Sequence, residues 1–199
     1  MLRGCVFIDH MNFDIALQNY YKSIEKQSPK IDYNLLPKNI VGLFPNVDLV
    51  KTYLFIPKPD DFLMGDPYIA SYYKWAAGLK NQRYFDVVEG AYTGRPKKSL
   101  SEMDINDHDT YYKEEKGTDV NLATYALKNA FYNSYDTGFF LSEDTDYISV
   151  YSALKSIGKL IVVIGVKGQQ LNKLIPHIDD FKILDETFFN NCLRKHKIY

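Results

Sequence analysis

Residues Gly4 to Ile8, GCVFI, form an unbroken apolar run that stops at once in Asp9, His10, Met11 and Asn12. A run this short and this uniform is the pattern of a strand buried on both faces, because a half-exposed strand would alternate and a buried helix would be longer. Comparable runs lie at Val47 to Pro57, at TGFFLS (137 to 142) and at KLIVVIGV (159 to 166), with weaker ones at Tyr84 to Gly94 and at FKILD (181 to 185). Between them fall stretches of helical spacing. One runs from Phe13 to about Lys26, and another follows Asp66 and Pro67, a cap residue and a proline suited to a first helical position. A third begins at Thr118 or Asp119 as cap, a fourth spans about Asp146 to Ile157, a short one surrounds Gln169 to Leu174, and a terminal one follows Asp185.

Strands alternating with helices imply parallel crossovers, so the expected fold class is α/β, a mostly parallel central sheet of five or six strands covered on both faces. One domain spanning 1–199 accounts for the chain's length. The rhythm breaks at about 95–115, RPKKSLSEMDINDHDTYYKEE, which reads as a polar loop or insertion.

A formal net charge of −1 gives no overall attraction to polyanions, so a nucleic acid would have to be held by a local patch or through bound cations. No apolar stretch approaches the roughly 18 residues of a membrane span, and MLRGCVFIDHMN is interrupted too soon for a secretory segment. The expected location is cytoplasmic, with no membrane partner. Cys5 and Cys192 lack metal-ligand spacing and read as packing residues. His10, His108, His177 and His196 are not paired as zinc ligands would be.

In an open α/β sheet, ligands bind outside the carboxyl ends of the strands, where the strand order reverses. Asp9 ends the first strand, while Asp144 and Asp146 follow TGFFLS. These strands become neighbours if the two halves of the chain wind in opposite directions. Asp119, at the amino end of the preceding helix, would lean over the same crevice. Each acid has a plainer role available, as a helix cap, a turn residue or a solvated loop charge. Together at one edge they would repel unless protonated or joined by a cation. Mg²⁺ or Mn²⁺ suits such a set, since these ions prefer oxygen ligands and take one or two carboxylates plus phosphate oxygens.

Three stretches then resemble one family in order: FIDHMNF (7 to 13), KGTDVNLATYAL (116 to 127) and LSEDTDYISVYSALKSIGKLIVVIG (141 to 165). They are similar to the signature segments of the NYN domain, in the LabA-like branch of the PIN-like nuclease superfamily. The resemblance continues through KGQQLNKLIPHIDDFKILDE. It implies a three-layer Rossmann-like fold and metal-dependent cleavage of RNA in an acidic pocket. By position, it implies catalytic and metal-binding roles for Asp9, Asp119, Asp144 and Asp146, with Asn12 orienting a phosphate or a water.

The sequence departs from the family pattern at His10 and Glu143, where glycine is usual, and at Tyr125, where a further Asp is often found. His10 and Glu143 would crowd the pocket mouth or add ligands. His10 could donate a proton, or be an imidazole hydrogen-bonded to backbone. For RNA contact the candidates are Lys116, Arg95, Lys97 and Lys98, with Ser142 and Thr145 beside the acidic pair. Tyr92, Tyr111 and Tyr112 could stack bases. The aromatic stretch YIASYYKWAAGL could serve a homodimer or the core. Two other readings remain: an RNA-binding or assembly module with a drifted pocket, and a small-nucleotide phosphohydrolase. The second is weakened because a haloacid-dehalogenase-type enzyme would want Asp where Met11 stands.

Overall fold

Val6, Phe7 and Ile8 are fully buried, as their unbroken apolar run predicts. In the computed structural model, which describes residues 1–194, they form the middle of β1 (Leu2–Asp9). The other strands are β2 (Val47–Pro59), β3 (Phe85–Pro96), β4 (Tyr111–Lys116), β5 (Thr137–Leu141), β6 (Leu160–Val166) and β7 (Asp180–Leu184). The helices are α1 (His10–Ser23), α2 (Leu35–Val41), α3 (Pro67–Gly78), α4 (Thr118–Phe131), α5 (Ile148–Ser156) and α6 (Glu186–Asn190).

One sheet of seven strands runs in the order β4-β3-β2-β1-β5-β6-β7, parallel except for β4. Alternate residues of β1 serve opposite layers. Val6 and Ile8 pack with α1, α2 and α3, while Cys5 and Phe7 pack with α4 and α5. The α/β class with both faces covered is the fold the sequence implies. Among the described residues, no helix is long and apolar enough to cross a membrane.

The strand count exceeds the expected five or six because of β4, which lies inside the polar stretch 95–115. That stretch is therefore part of a hairpin, with Ala91 opposite Lys116 and Pro96 opposite Tyr111. An edge strand outside the main core can carry charge on most positions. Only Tyr111 of β4 is buried, in a small cluster with Leu63 and Ile69. Asp9 is level with Phe55 and thereby with Val88, so the hairpin projects past the edge where β1 ends.

Helix boundaries differ from the periodicity where polar groups cap them. α1 begins at His10, earlier than the spacing suggests, because the Asp9 carboxylate accepts a hydrogen bond from the Asn12 N–H at 3.2 Å. Neither Thr118 nor Asp119 caps α4. Gly117 does so with φ 85°, and the Glu115 carboxylate accepts from the Thr118 N–H at 3.1 Å. The helix expected at about Asp146 is a 3-10 turn (Thr145–Tyr147) leading into α5. The short helix expected at Gln169 to Leu174 is replaced by turns, with a 3-10 turn at Ile175–His177. α2 has no counterpart in the sequence reading. Cys5 and Cys192 are both buried and free, and His196 lies outside the described residues.

Candidate acidic site

Strand order reverses between β1 and β5: the chain builds β2 and β3 to one side of β1, then β5, β6 and β7 to the other. Asp9 ends β1 at this point with 5% of its surface exposed. Its carboxylate accepts from the Asn12 N–H and from the Ser142 hydroxyl, each at 3.2 Å. Burial pushes its pKa up to about 6, and the fields of Asp119 and Asp144 push the same way, against the two hydrogen bonds. Asp9 therefore feels carboxylates from two other segments.

Tyr147 joins them. Its ring is buried, and its hydroxyl donates to Asp119 Oδ1 at 2.9 Å. Burial raises its pKa far above the usual phenol range, with Asp9, Asp119 and Asp144 adding to the rise, so the hydroxyl stays protonated. Nothing in the sequence marks this tyrosine among the chain's 17, apart from its place directly after Asp146. Asp144 is half-buried; its side chain accepts from the Asp146 N–H at 2.9 Å, and its own N–H donates to the Ser142 hydroxyl at 3.2 Å. Asp146 is exposed and is not among the charges that raise Asp9 or Tyr147. Asp119 and Asp144 thus lie within electrostatic reach of Asp9, and Asp146 does not contribute. Among the described residues, no group of three or more His, Cys, Asp or Glu side chains is placed to close around a metal ion.

Asn12 does not face the three carboxylates with a free carbonyl. Its Oδ1 accepts from the Glu143 N–H at 3.2 Å and from Gln169 Nε2 at 3.4 Å, tying the first turn of α1 to the loops after β5 and β6. Glu143 in turn accepts from the Gln170 N–H at 3.3 Å. Two clefts flank this joint. One, of about 450 Å³, is lined by Glu143, Asp144, Thr145, Gln170, Asn172 and Lys173. The other, of about 490 Å³, includes Asn12, Glu143, Lys167 and Gln169. Sequence reasoning missed both lysines: Lys167 directly follows β6, and Lys173 lies in the stretch read as a short helix.

Several expected contacts are corrected. His10 neither crowds the pocket mouth nor offers a proton: it is buried in the layer opposite α4, with Tyr33 Oη on Nδ1 at 3.1 Å and Tyr72 Oη on Nε2. Burial lowers its pKa to about 4 and keeps it neutral. Tyr125 sits edge-on to Tyr53 and Phe55, with ring centroids 5.8 and 5.9 Å away, so it is a packing residue. Arg95 and Lys116 both pair with Glu114, at 2.8 and 3.0 Å. Lys97 reaches the His108 carbonyl at 3.3 Å and the Asp109 carboxylate at 3.9 Å. Lys98 is exposed. Tyr111 is buried and donates to or accepts from His108 Nδ1 at 2.8 Å, which removes it as a stacking surface; Tyr92 is half-buried and Tyr112 exposed. Ser142 is buried behind Asp9, and Thr145 is exposed on the rim.

The NYN domain family model matches residues 3–185. The match is to the domain as a whole and does not single out its LabA-like branch. Among solved structures, a protein of unknown function from Vibrio parahaemolyticus is similar at TM-score 0.58 and 19% identity, over 94% of this chain and 95% of that one. That likeness speaks to fold alone. Among curated proteins, none matches the sequence.

Proposed function

The chain belongs to the NYN domain family, and from that membership in the PIN-like nuclease superfamily we propose that it is a divalent-metal-dependent ribonuclease, hydrolysing RNA phosphodiester bonds where Asp9, Asp119 and Asp144 meet. One observation carries the reading. Asp9 is a buried carboxylate at the switch point, raised further by two other carboxylates, and no Lys or Arg is among the groups that act on it. Such an arrangement is costly empty and is relieved by a cation.

The donors are carboxylate oxygens without Cys or His, which fits Mg²⁺ or Mn²⁺ of the kind that keeps its waters and takes one or two carboxylates. It does not fit a closed protein cage. Among the described residues no three of these acids are placed to hold an ion together, so Asp9 with one of Asp119 or Asp144 would hold it, its waters filling the other positions and Asp146 lying at the solvent side. When bound, it supplies a Lewis acid that offsets charge on the phosphodiester and acidifies water. The protein's own groups do the positioning. Ser142 fixes Asp9, Tyr147 fixes Asp119, and the loop after β6 offers Lys173 beside Asp144 and Lys167 in the adjoining cleft for neighbouring phosphates.

The test is cleavage of single-stranded and structured RNAs with Mn²⁺, alongside calorimetric Mn²⁺ titration. Cleavage that Asp144→Asn abolishes supports the reading; intact RNA and an unaltered variant would end it. A second reading, a module that binds RNA without cutting it, is favoured by the missing three-ligand group. Absence of carboxylate-dependent Mn²⁺ binding would select it.

A further inference from the structure

A groove of about 1010 Å³ opens between α1 and α3, on the layer opposite α4 and α5, and it exceeds either cleft at the acidic edge. Tyr68, Tyr72 and Trp75 fall on one stripe of α3 and form its wall. Tyr68 is 77% exposed. Behind it the rings support one another: Tyr72 stacks on His10 at 5.2 Å between centroids, and Trp75 meets Tyr33 edge-on at 5.5 Å. His10, at the inner end of the groove, follows Asp9 in the chain but faces the layer opposite the acidic edge.

The polar groups of the groove are arranged by sign. Asp14 of α1 sits half-buried among the rings, and its one side-chain hydrogen bond comes from Gln18 Nε2 at 2.6 Å. Lys22 and Lys30 stand exposed on the rim, with no carboxylate at ion-pair distance among the described residues. Lys26, also on the rim, is held by Glu186 at 2.6 Å, and Glu25 is the one rim carboxylate. An apolar partner, such as the same face of a second copy, would bury Asp14 with the Gln18 amide as its one side-chain donor and crowd the lysines together. A cationic peptide would suit Asp14 but meet the lysines. A nucleotide strand satisfies all three features: flat bases for the rings, base N–H groups for the carboxylate, and phosphates for the rim.

We propose that this groove binds single-stranded RNA, with bases against Tyr68, Tyr72 and Trp75 and phosphates along Lys22 and Lys30. The proposal rests on the ribonuclease reading, for which it supplies a seat for the strand away from the cut. Base stacking is tolerant of sequence, so the groove holds a strand without selecting one.

Trp75 is the chain's single tryptophan, which makes its emission a direct reporter. Titration with a single-stranded oligoribonucleotide in EDTA, where nothing is cut, is expected to quench Trp75, while a blunt duplex leaves it unchanged. Tyr68→Ala should weaken binding, read by anisotropy, about tenfold. Lys22→Ala and Lys30→Ala should each flatten the logarithmic salt dependence by about 0.7. Tyr68 and both lysines are exposed, so these variants keep the fold. RNA that binds without quenching, with Tyr68→Ala within about twofold, overturns the groove; so does absence of binding, or emission that shifts with protein concentration alone, as a second copy would cause. Asp144→Asn should quench as the native chain does. Quenching without cleavage would leave the groove standing and remove the nuclease, and cleavage without quenching would do the reverse.

Discussion

The hydroxyl of Tyr147 donates to the carboxylate of Asp119 at 2.9 Å, fastening the first turn of α4 to the loop after β5. Without that bond Asp119, exposed on its helix, would be free to turn toward solvent. Groups that orient a ligand from behind typically cost about 10–100-fold in metal affinity or activity when removed. Tyr147→Phe is therefore expected to weaken Mn²⁺ binding by about that range. Stability should change by less than about 1 kcal/mol, because water replaces the lost donor on Asp119. Calorimetry and urea denaturation on the same variant separate the two effects.

Asp9 carries the site's cost in stability. Its pKa is raised to about 6 in the folded chain, above its value when unfolded, so the folded state holds the proton more tightly. The stabilisation from this proton is full at acidic pH, below the unfolded value, and is lost as pH rises through about 6. Above that, the ionised, desolvated carboxylate weighs against folding. Asp9→Asn should accordingly be more stable than the native chain by about 1–3 kcal/mol at about pH 8, with little difference at about pH 4. Equal stabilities at the higher pH would show that Asp9 is better solvated than its burial implies.

The same titration sets the pH dependence of ion binding. Protonated Asp9 cannot ligate, so Mn²⁺ affinity should fall as pH drops through about 6. A profile that stays flat across that region would take Asp9 out of the ligand set.

Cations on the two sides of the edge should differ in effect. Arg95, Lys97 and Lys116 are each engaged by a carboxylate of the β4 hairpin or the loop before it. Lys173 shares a cleft with Asp144 and has no such partner among the described residues. Lys173→Ala should lower RNA affinity by several-fold and reduce its salt dependence, while Lys116→Ala should stay within about twofold. Filter binding over a salt series gives both numbers.

The parallel core was legible because burial on both faces leaves a mark on every residue: GCVFI, TGFFL and LIVVIGV could hardly be anything but inner strands. With the two halves winding in opposite directions, as the strand order shows, the strands that end before Asp9 and Asp144 are neighbours. The hairpin was not legible, since β4 buries only Tyr111 and its last four residues are all charged, Glu114 pairing with Arg95 of β3 and with Lys116 of its own strand. Those ion pairs are also why the basic stretch looked more available for RNA than it is. Asp146 shares the spacing of Asp144 but not its orientation, because the 3-10 turn that Asp144 caps points the next acid outward. His10, polar and adjacent to Asp9, is turned by the start of α1 into the opposite layer, a consequence of helix geometry that linear proximity conceals.

Where α4 begins is decided by a glycine two residues past the level of Asp9. A Cβ on Gly90 would lie 2.5 Å from Thr118 Oγ1 and 2.9 Å from both the Lys116 carbonyl and the Thr118 nitrogen. The last two are backbone atoms and cannot rotate away, so Gly90→Ala must push the amino end of α4 off β3. Asp119 is the next residue along and would move with it. The expected cost is about 1–3 kcal/mol of stability, in the range of overpacking, with a loss of Mn²⁺ affinity that follows from the displaced carboxylate. Gly78→Ala is the control: its Cβ meets nothing within 4 Å, and its φ is −65° at the end of α3. It should leave ion binding unchanged and stabilise by up to about 1 kcal/mol. If Gly90→Ala lowers stability while Mn²⁺ affinity holds, Asp119 is not part of the ion's surroundings, and Asp9 and Asp144 alone would have to account for it.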